Sequence, residues 1–235
     1  METPAARILT EGDMEVHGRI AGSSNATLLV TCTLKDETCM GVYKPAKGER
    51  PLWDFPGGLF RREVAAFVLS EHLGWGLVPD TVERTEGPFG EGSVQRYVPE
   101  DGVAHYFTLR DDPQWHPVLM RLCAFDVIAN NADRKSGHVL LAEERIWAID
   151  NGLCFNEDDK LRTVIWDFGG EPIAPEDLET IRRFVNDGPP PALTRLLTPA
   201  ELSAVTERAS WLLHLEALPE LVDDGDWPPY PWPLV

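Results

Sequence analysis

The sequence predicts an α+β fold in which a β-rich first part is followed by a mainly helical second part. Short extended segments separated by turn residues dominate the chain up to Val98 and include one amphipathic helix. Beyond the Pro-Glu-Asp-Gly break at 99–102, the long segments have helical periodicity, with one short hairpin among them. We therefore predict two lobes, 1–98 and 99–235, in a chain of 235 residues that is long enough to bury a sizeable core.

The predicted elements of the first lobe are a hairpin, a strand, a helix and a further strand, at 18–34, 39–44, 60–73 and 93–98. The hairpin turns at 22–25, where the sequence is Gly-Ser-Ser-Asn. The strand 39–44 ends at Pro45, because proline cannot donate to a central ladder. The helix has apolar residues at helical spacing and ends at Gly74.

Helices dominate the predicted second lobe. They cover 117–129 and 175–187, and a last helix begins with a capping box formed by Thr198 and Glu201. Pro199 at the first helical position supports that start. The Pro/Trp segment 227–233 either binds a partner protein in polyproline II conformation or lies against the body of the protein.

Charge and composition exclude several classes of protein. A net charge of −18 without any block rich in Lys or Arg argues against a nucleic-acid partner. The same charge disfavours binding to an anionic membrane surface. The first residues lack the apolar core of a signal peptide, and no apolar run approaches the roughly 20 residues of a transmembrane helix. These features, with a composition that suits a high-GC bacterium, predict a cytoplasmic protein.

The four cysteines lie among apolar neighbours and show no C-x-x-C spacing. We interpret them as buried, reduced thiols rather than zinc ligands or disulfides. They are Cys32, Cys39, Cys123 and Cys154.

Two carboxylates lie at the two ends of one predicted hairpin. Asp133 falls in the loop 131–138, and Asp150 follows the strand that closes the hairpin. Phosphoryl transfer needs such a pair: one carboxylate orients or deprotonates the attacking hydroxyl, and the other holds the magnesium that bridges the nucleotide phosphates. Alternatively, Asp133 forms an Asx-turn and Asp150 caps the following turn. With the order of the lobes, the pair predicts a two-lobed kinase-like fold that uses ATP and Mg²⁺.

The other parts of a nucleotide site have recognisable physical tasks. Lys44 is the one lysine in a predicted strand, so it is the candidate to reach the α- and β-phosphates; alternatively it snorkels from an edge strand. Glu63 is the candidate partner of that lysine, or a solvated carboxylate beside an arginine. The turn between the first two strands either cradles phosphates with its backbone N–H groups or is an ordinary hairpin turn. Its residues are Gly22, Ser23, Ser24 and Asn25.

The tripeptide Asp167-Phe168-Gly169 spells the magnesium-binding motif of eukaryotic protein kinases. Its separation from Asp133 is about twice what a single connecting hairpin would require. We therefore assign the metal ligand to Asp150 and not to Asp167.

Four motifs in order resemble those of type II phosphatidylinositol 4-kinases, at 41–45, 92–98, 131–134 and 148–153. The whole looks like an uncharacterised bacterial family of phosphatidylinositol 3-/4-kinase-like proteins. The resemblance implies that Lys44 contacts the nucleotide phosphates, that Asp133 and Arg134 form the catalytic motif, and that Asp150 binds the metal. It also implies that Gln95, Tyr97 and Val98 of the second motif bind the nucleotide, with the adenine near the backbone of Tyr97 and Val98.

His138 departs from that pattern, because it stands where the family has a metal-binding asparagine. Imidazole is a poorer ligand for Mg²⁺ than an amide oxygen. Either one metal ion suffices, or Mn²⁺ is preferred, or His138 has another role, such as a hydrogen bond within its loop.

The residues therefore favour an ATP-dependent phosphotransferase that phosphorylates a hydroxyl acceptor. A protein side chain or a small molecule is better supported as acceptor than a membrane lipid, since the acidic chain has no basic or amphipathic anchoring segment. One alternative is a nucleotide-binding regulatory module with little turnover, and another is the transfer of AMP instead of phosphate.

Overall fold

The structure is a computed structural model that describes residues 3–20, 25–99, 102–221 and 229–234. Within these ranges, five antiparallel strands form the N-terminal sheet in the order β1-β2-β3-β5-β4. The strands are β1 (Asp13–Arg19), β2 (Leu28–Leu34), β3 (Glu37–Pro45), β4 (Thr81–Arg84) and β5 (Gly92–Arg96). A separate antiparallel hairpin consists of β6 (Val139–Ala142) and β7 (Arg145–Ala148).

The described helices are α1 (Pro4–Glu11), α2 (Leu59–His72), α3 (Tyr106–Leu109), α4 (His116–Ala129), α5 (Pro175–Asp187), α6 (Pro191–Thr194) and α7 (Pro199–Leu215). The predicted helices and the predicted capping box at Thr198 and Glu201 are confirmed. The α+β class is confirmed as well. None of the helices in the described ranges has both the length and the apolar character needed to cross a bilayer.

Two features at the start of the chain differ from the prediction. Helix α1 was not predicted, although Thr3 caps it through a hydrogen bond from the Ala6 N–H and Pro4 occupies its first position. Strand β1 begins at Asp13, upstream of the predicted hairpin, and its exposed polar residues Asp13, Glu15 and His17 alternate with the partly buried Met14 and Val16. The hairpin pairing of β1 with β2 is confirmed.

Helix α1 packs against one face of the N-terminal sheet, where Leu9 joins the buried Val30, Tyr43 and Val94. Gly41 on β3 permits this contact. A Cβ atom at that position would lie 2.9 Å from Val94 Cγ1 and 3.1 Å from Leu9 Cδ2. The opposite face of β3, which carries Lys44, is thereby left to line a cleft.

The main core lies in the helical part and includes the buried face of α2. Its centre is α4, in which Leu119, Leu122, Phe125 and Ile128 are all fully buried. Asn130 caps the end of α4, and its left-handed φ of 50° turns the chain into the loop that carries Asp133. The four cysteines are all free thiols, and only Cys39 is partly exposed.

Candidate active site

Lys44 lies near the end of β3 and points at two carboxylates. Its Nζ donates to Glu63 Oε1 on α2, and to Asp150 Oδ1 at 2.7 Å. Burial would lower the pKa of the Lys44 ammonium, but the charges of Asp150 and Glu63 outweigh it and raise that pKa above its ordinary value. Lys44 is therefore a fixed positive charge, and Glu63 is its partner rather than a solvated side chain.

Asp150 follows the hairpin β6–β7 in a left-handed conformation with φ of 57°. Its side chain is 51% exposed and so remains accessible to a ligand. The Lys44 charge holds the pKa of the Asp150 carboxyl well below its usual range and outweighs the partial loss of water around this carboxylate in the cleft. Asp150 is thus an anion at every pH where the protein is expected to work.

Glu63 joins the lysine to the segment that carries Asp150. Its second oxygen, Oε2, accepts a hydrogen bond from the backbone N–H of Asn151 at 3.0 Å. Burial raises the pKa of the Glu63 carboxyl, although the Lys44 charge opposes the shift. Because Lys44 stays charged, we interpret the two as an ion pair.

Arg62, the residue before Glu63, also links α2 to α7 and to the segment after Asp150. Arg62 donates from Nε to the carbonyl of Cys154 at 3.0 Å and from Nη2 to Glu201 Oε1 on α7. Arg62 and Glu201 are 5% and 7% exposed. The capping carboxylate of α7 therefore also anchors α2, which the sequence did not indicate.

Asp133 lies in the loop after α4. Its backbone N–H donates to Asn131 Oδ1 at 2.9 Å, so the Asx-turn is made by Asn131 and the Asp133 side chain is left for other contacts. Its Oδ2 lies 3.2 Å from Lys135 Nζ. Burial raises the pKa of the Asp133 carboxyl, although Lys135 opposes the shift. A carboxylate with a raised pKa is better suited to accept a proton.

Arg134 is fully buried beneath this loop and its contacts are with protein groups. Its Nε and Nη2 bind Asp126 on α4, its Nη2 also binds Asn151 Oδ1 at 2.7 Å, and its Nη1 donates to the carbonyl of Ile149 at 2.8 Å. Arg134 therefore ties the Asp133 loop to the Asp150 segment. Asp126 was missed by sequence reasoning, although a carboxylate within the apolar run of α4 was a readable signal.

His138 faces Asp150, with 3.4 Å between its Nε2 and Asp150 Oδ2. Its Nδ1 accepts a hydrogen bond from the Lys135 N–H, so the neutral ring carries its proton on Nε2. Burial lowers the pKa of His138 to about 4, although the Asp150 carboxylate favours the charged ring. At neutral pH His138 is an uncharged donor toward Asp150.

Two cavities share Thr27, Lys44 and Asp150 as lining residues. The first, of about 430 Å³, extends past Tyr97 and Val98 and also contains His138. Its apolar walls include Val42, Leu140 and Ile149. The second contains Asp133, Asn25 and Glu63. One cavity therefore reaches the predicted adenine segment and the other reaches the predicted catalytic aspartate.

The remaining predicted residues are placed as follows. Gln95 borders the first cavity, but its Nε2 donates to Thr81 Oγ1 at 2.9 Å. Gly22, Ser23 and Ser24 lie outside the described residues. Asn25 Oδ1 accepts from the Arg50 N–H at 3.0 Å, beside the second cavity. Asp167 binds Tyr106 Oη at 2.5 Å and Arg110 Nη1 at 3.0 Å instead of lining either cavity.

Solved structures with this fold include kinases. The chain is similar to the Golgi casein kinase with Mn/ADP bound, at a TM-score of 0.59 and 16% identity, over 98% of this chain and 79% of that one. It is also similar to hydra Fam20 with sugar, at a TM-score of 0.59 and 12% identity, over 89% of this chain and 86% of that one. At identities this low the two matches show the fold alone. They confirm that the fold is kinase-like. The narrower resemblance to phosphatidylinositol kinases stays a prediction.

No family model matches the chain. Protein Rv2133c of Mycobacterium tuberculosis (strain ATCC 25618 / H37Rv) is 36% identical over 264 aligned positions. The alignment covers 96% of this chain and 94% of the relative, so the likeness extends through both the sheet and the helical part. The chain belongs to the same family as Rv2133c.

Proposed function

We propose that the protein is an ATP-dependent phosphotransferase acting on a hydroxyl group. The observation that carries the proposal is the position of Lys44. It is held by Glu63 and Asp150 where two cavities meet, one leading to Val98 and the other to Asp133. This arrangement suits adenine in the first cavity, phosphates at Lys44 and the acceptor in the second.

The reaction would form a bond between the acceptor oxygen and the γ-phosphorus while the bond from that phosphorus to the β-bridging oxygen breaks. ADP leaves with the electron pair of the broken bond, and the hydroxyl proton passes to Asp133 and then to solvent. Lys44 would neutralise charge on the phosphates, and Asp133 would orient the acceptor. Arg134 would act only by holding the loop in place.

A divalent metal fits at Asp150 but is not caged by the protein. The Asp150 carboxylate is exposed, ionised and a hard oxygen donor, as Mg²⁺ and Mn²⁺ prefer. Among the described residues no group of three His, Cys, Asp or Glu side chains could hold an ion, so phosphate oxygens and water would supply the other ligands. The metal would add positive charge beside the phosphates.

His138 does not fit as a second metal ligand in the tautomer that its hydrogen bond from Lys135 implies. Ligation through Nε2 requires its proton to move to Nδ1, where the Lys135 N–H already points. We therefore propose His138 as a hydrogen-bond donor to Asp150, and one metal ion in place of two.

The remaining features of the proposal come from the sequence. They are a lobe boundary at Val98, a bacterial branch related to phosphatidylinositol 3-/4-kinases, and a cytoplasmic location. A protein or small-molecule acceptor is favoured over a membrane lipid, because the chain carries a net charge of −18. The structure of the Golgi casein kinase with Mn/ADP bound, which shares the fold, supports nucleotide and metal use.

The test is turnover of ATP by the purified protein with Mg²⁺ or Mn²⁺, followed by mass spectrometry of any modified acceptor. We expect ADP to form and the acceptor to gain the mass of one phosphate. Gain of AMP would show the other transfer reaction, with the nucleotide bound in reverse. No turnover with either metal, in protein that still binds ATP in a thermal-shift assay, would contradict the proposal.

A regulatory nucleotide-binding module is the second candidate. The direct contacts of Asp150 with Lys44 and His138 favour it, because they compete with a metal for the same carboxylate. In that case ATP should raise the melting temperature equally with and without divalent metal.

A further inference from the structure

Residues 229–234, which we call the strap, lie against the loop that carries Asp133. The carbonyl of Leu234 accepts a hydrogen bond from the Ser136 N–H at 2.8 Å. The side chain of Leu234 packs against the main core, and Pro231 is buried. The described part of the predicted Pro/Trp segment therefore lies against the body, while Trp227 and Pro228 fall outside the described residues.

The other end of the strap binds a second segment. The carbonyl of Pro229 accepts from the Thr163 N–H at 3.2 Å and from Trp166 Nε1 at 3.1 Å. Thr163 pairs with Arg134 in a parallel bridge, in which the Val164 N–H donates to the Arg134 carbonyl at 3.1 Å. The strap thus holds both the Asp133 loop and the segment that the loop pairs with.

The loop needs such support because little regular structure lies within it. Between α4 and β6 the chain forms one short 3₁₀ turn, Ser136–His138, and the single bridge of Arg134 with Thr163. Ser136 is 0% exposed, so water cannot satisfy its N–H. A buried N–H without an acceptor is costly, and the Leu234 carbonyl provides that acceptor.

We propose that the strap is a positioning segment that fixes the backbone between Asp133 and His138 for phosphoryl transfer. The proposal rests on the function proposed above, because its catalytic consequence requires turnover. The strap touches neither cavity through its described contacts. It acts through Ser136, which lies in the chain between the proposed catalytic aspartate and the histidine that faces Asp150.

Two variants remove the contacts separately. Ser136→Pro removes the donor to Leu234, and the backbone suits proline there, because Lys135 is extended with ψ of 163° and position 136 opens a turn. Trp166→Phe removes the donor to Pro229 and keeps an aromatic ring. Trp232→Ala is the matched control, since Trp232 belongs to the strap but is 86% exposed.

Hydrogen exchange at the amides of Arg134 and His138 reads the loop without any need for activity. We expect exchange to rise about fivefold in Trp166→Phe and more in Ser136→Pro, as loss of single hydrogen bonds implies. We expect kcat to fall about tenfold in Ser136→Pro with KM for ATP within about threefold, because the loop and not the nucleotide site is disturbed. Trp232→Ala should change neither measurement.

Unchanged exchange in folded Trp166→Phe would overturn the proposal, even if Ser136→Pro does not fold. Raised exchange with unchanged kcat would also overturn it, because the strap would then only pack against the body. If exchange rises but the parent protein turns over no ATP with either metal, the proposed function fails and the catalytic role of the strap fails with it. The hold on the loop would then stand alone as a structural result.

Discussion

Arg134 and Asp126 form an ion pair in which both side chains are 0% exposed and Nη2 lies 2.9 Å from Oδ1. Removing one partner of a buried pair leaves the other charge without compensation, at a cost of about 3–5 kcal/mol. We expect Asp126→Asn to lower the free energy of unfolding by that amount in urea denaturation. Glu179→Gln breaks the exposed pair with Arg182 and should cost at most about 1 kcal/mol. Equal effects of the two variants would contradict this role of Asp126.

Glu63→Gln keeps the size of the side chain but removes the charge that faces Lys44. The Asn151 N–H keeps an acceptor, so the fold should persist, while Lys44 is left to turn toward Asp150 alone. We expect kcat to fall about a hundredfold, as displacement of a positioning group by about 1 Å does elsewhere. Glu83→Gln is the control. Glu83 is partly exposed and lies 3.8 Å from Arg61, which is on α2 like Glu63. A change in kcat common to both variants would argue against a specific role for Glu63.

Asp133→Asn should lower kcat by about 10²–10⁴ with little change in KM for ATP, because the variant loses proton acceptance but not nucleotide contacts. Steady-state kinetics at saturating acceptor separate the two constants. An unchanged kcat would remove Asp133 from the reaction.

Asp150→Ala should abolish turnover, whereas Asp167→Ala should retain it. Asp150 lines both cavities beside Lys44, while Asp167 is occupied by Tyr106 and Arg110. The measurement is ATP hydrolysis over a titration of Mn²⁺ or Mg²⁺, with thermal melts to confirm that both variants fold. The reverse result would move the metal ligand to Asp167.

Stability should fall between pH 6.5 and pH 4 because of His138. Its pKa is lowered from 6.5 to about 4 in the folded protein, so the unfolded chain binds more protons in this window and is favoured by acid. The loss is about 3 kcal/mol by pH 4, since one pKa unit corresponds to about 1.36 kcal/mol. In His138→Gln the free energy of unfolding should not fall in this pH window. In His17→Gln, a change at an exposed position, it should fall as in the parent protein. Asp150 acts in a separate window below about pH 4, where its lowered pKa makes protonation destabilising.

The residues that the sequence identified share one property: their chemistry shows in the local pattern. Lys44 stands out as a lysine in an apolar strand, and Asp150 as a carboxylate after one. Asp126 and Arg62 carry charges whose partners lie on other segments, so the local pattern could not show what either side chain binds. Asp126 binds the Asp133 loop, and Arg62 binds a carboxylate on α7.

Arg134 shows the converse limit of sequence reasoning. The motif indicated catalysis, yet burial places its guanidinium beneath the loop, where it connects Asp126, Ile149 and Asn151. The resemblance singled out Arg134 but did not indicate which way its side chain points. Helix α1 was missed for a simpler reason, since eight residues give too short a window for periodicity.

The buried contact of Arg62 with Glu201 also limits how far α2 can move away from α7. An outward movement of α2 would separate Arg62 from Glu201 and leave both charges buried without a partner. The free-energy cost is about 3–5 kcal/mol, so fewer than about one molecule in a hundred would have α2 in the outward position. The pairing of Lys44 with Glu63 is therefore completed when the chain folds. Forming the Lys44–Glu63 pair therefore requires no separate step that rotates α2 inward.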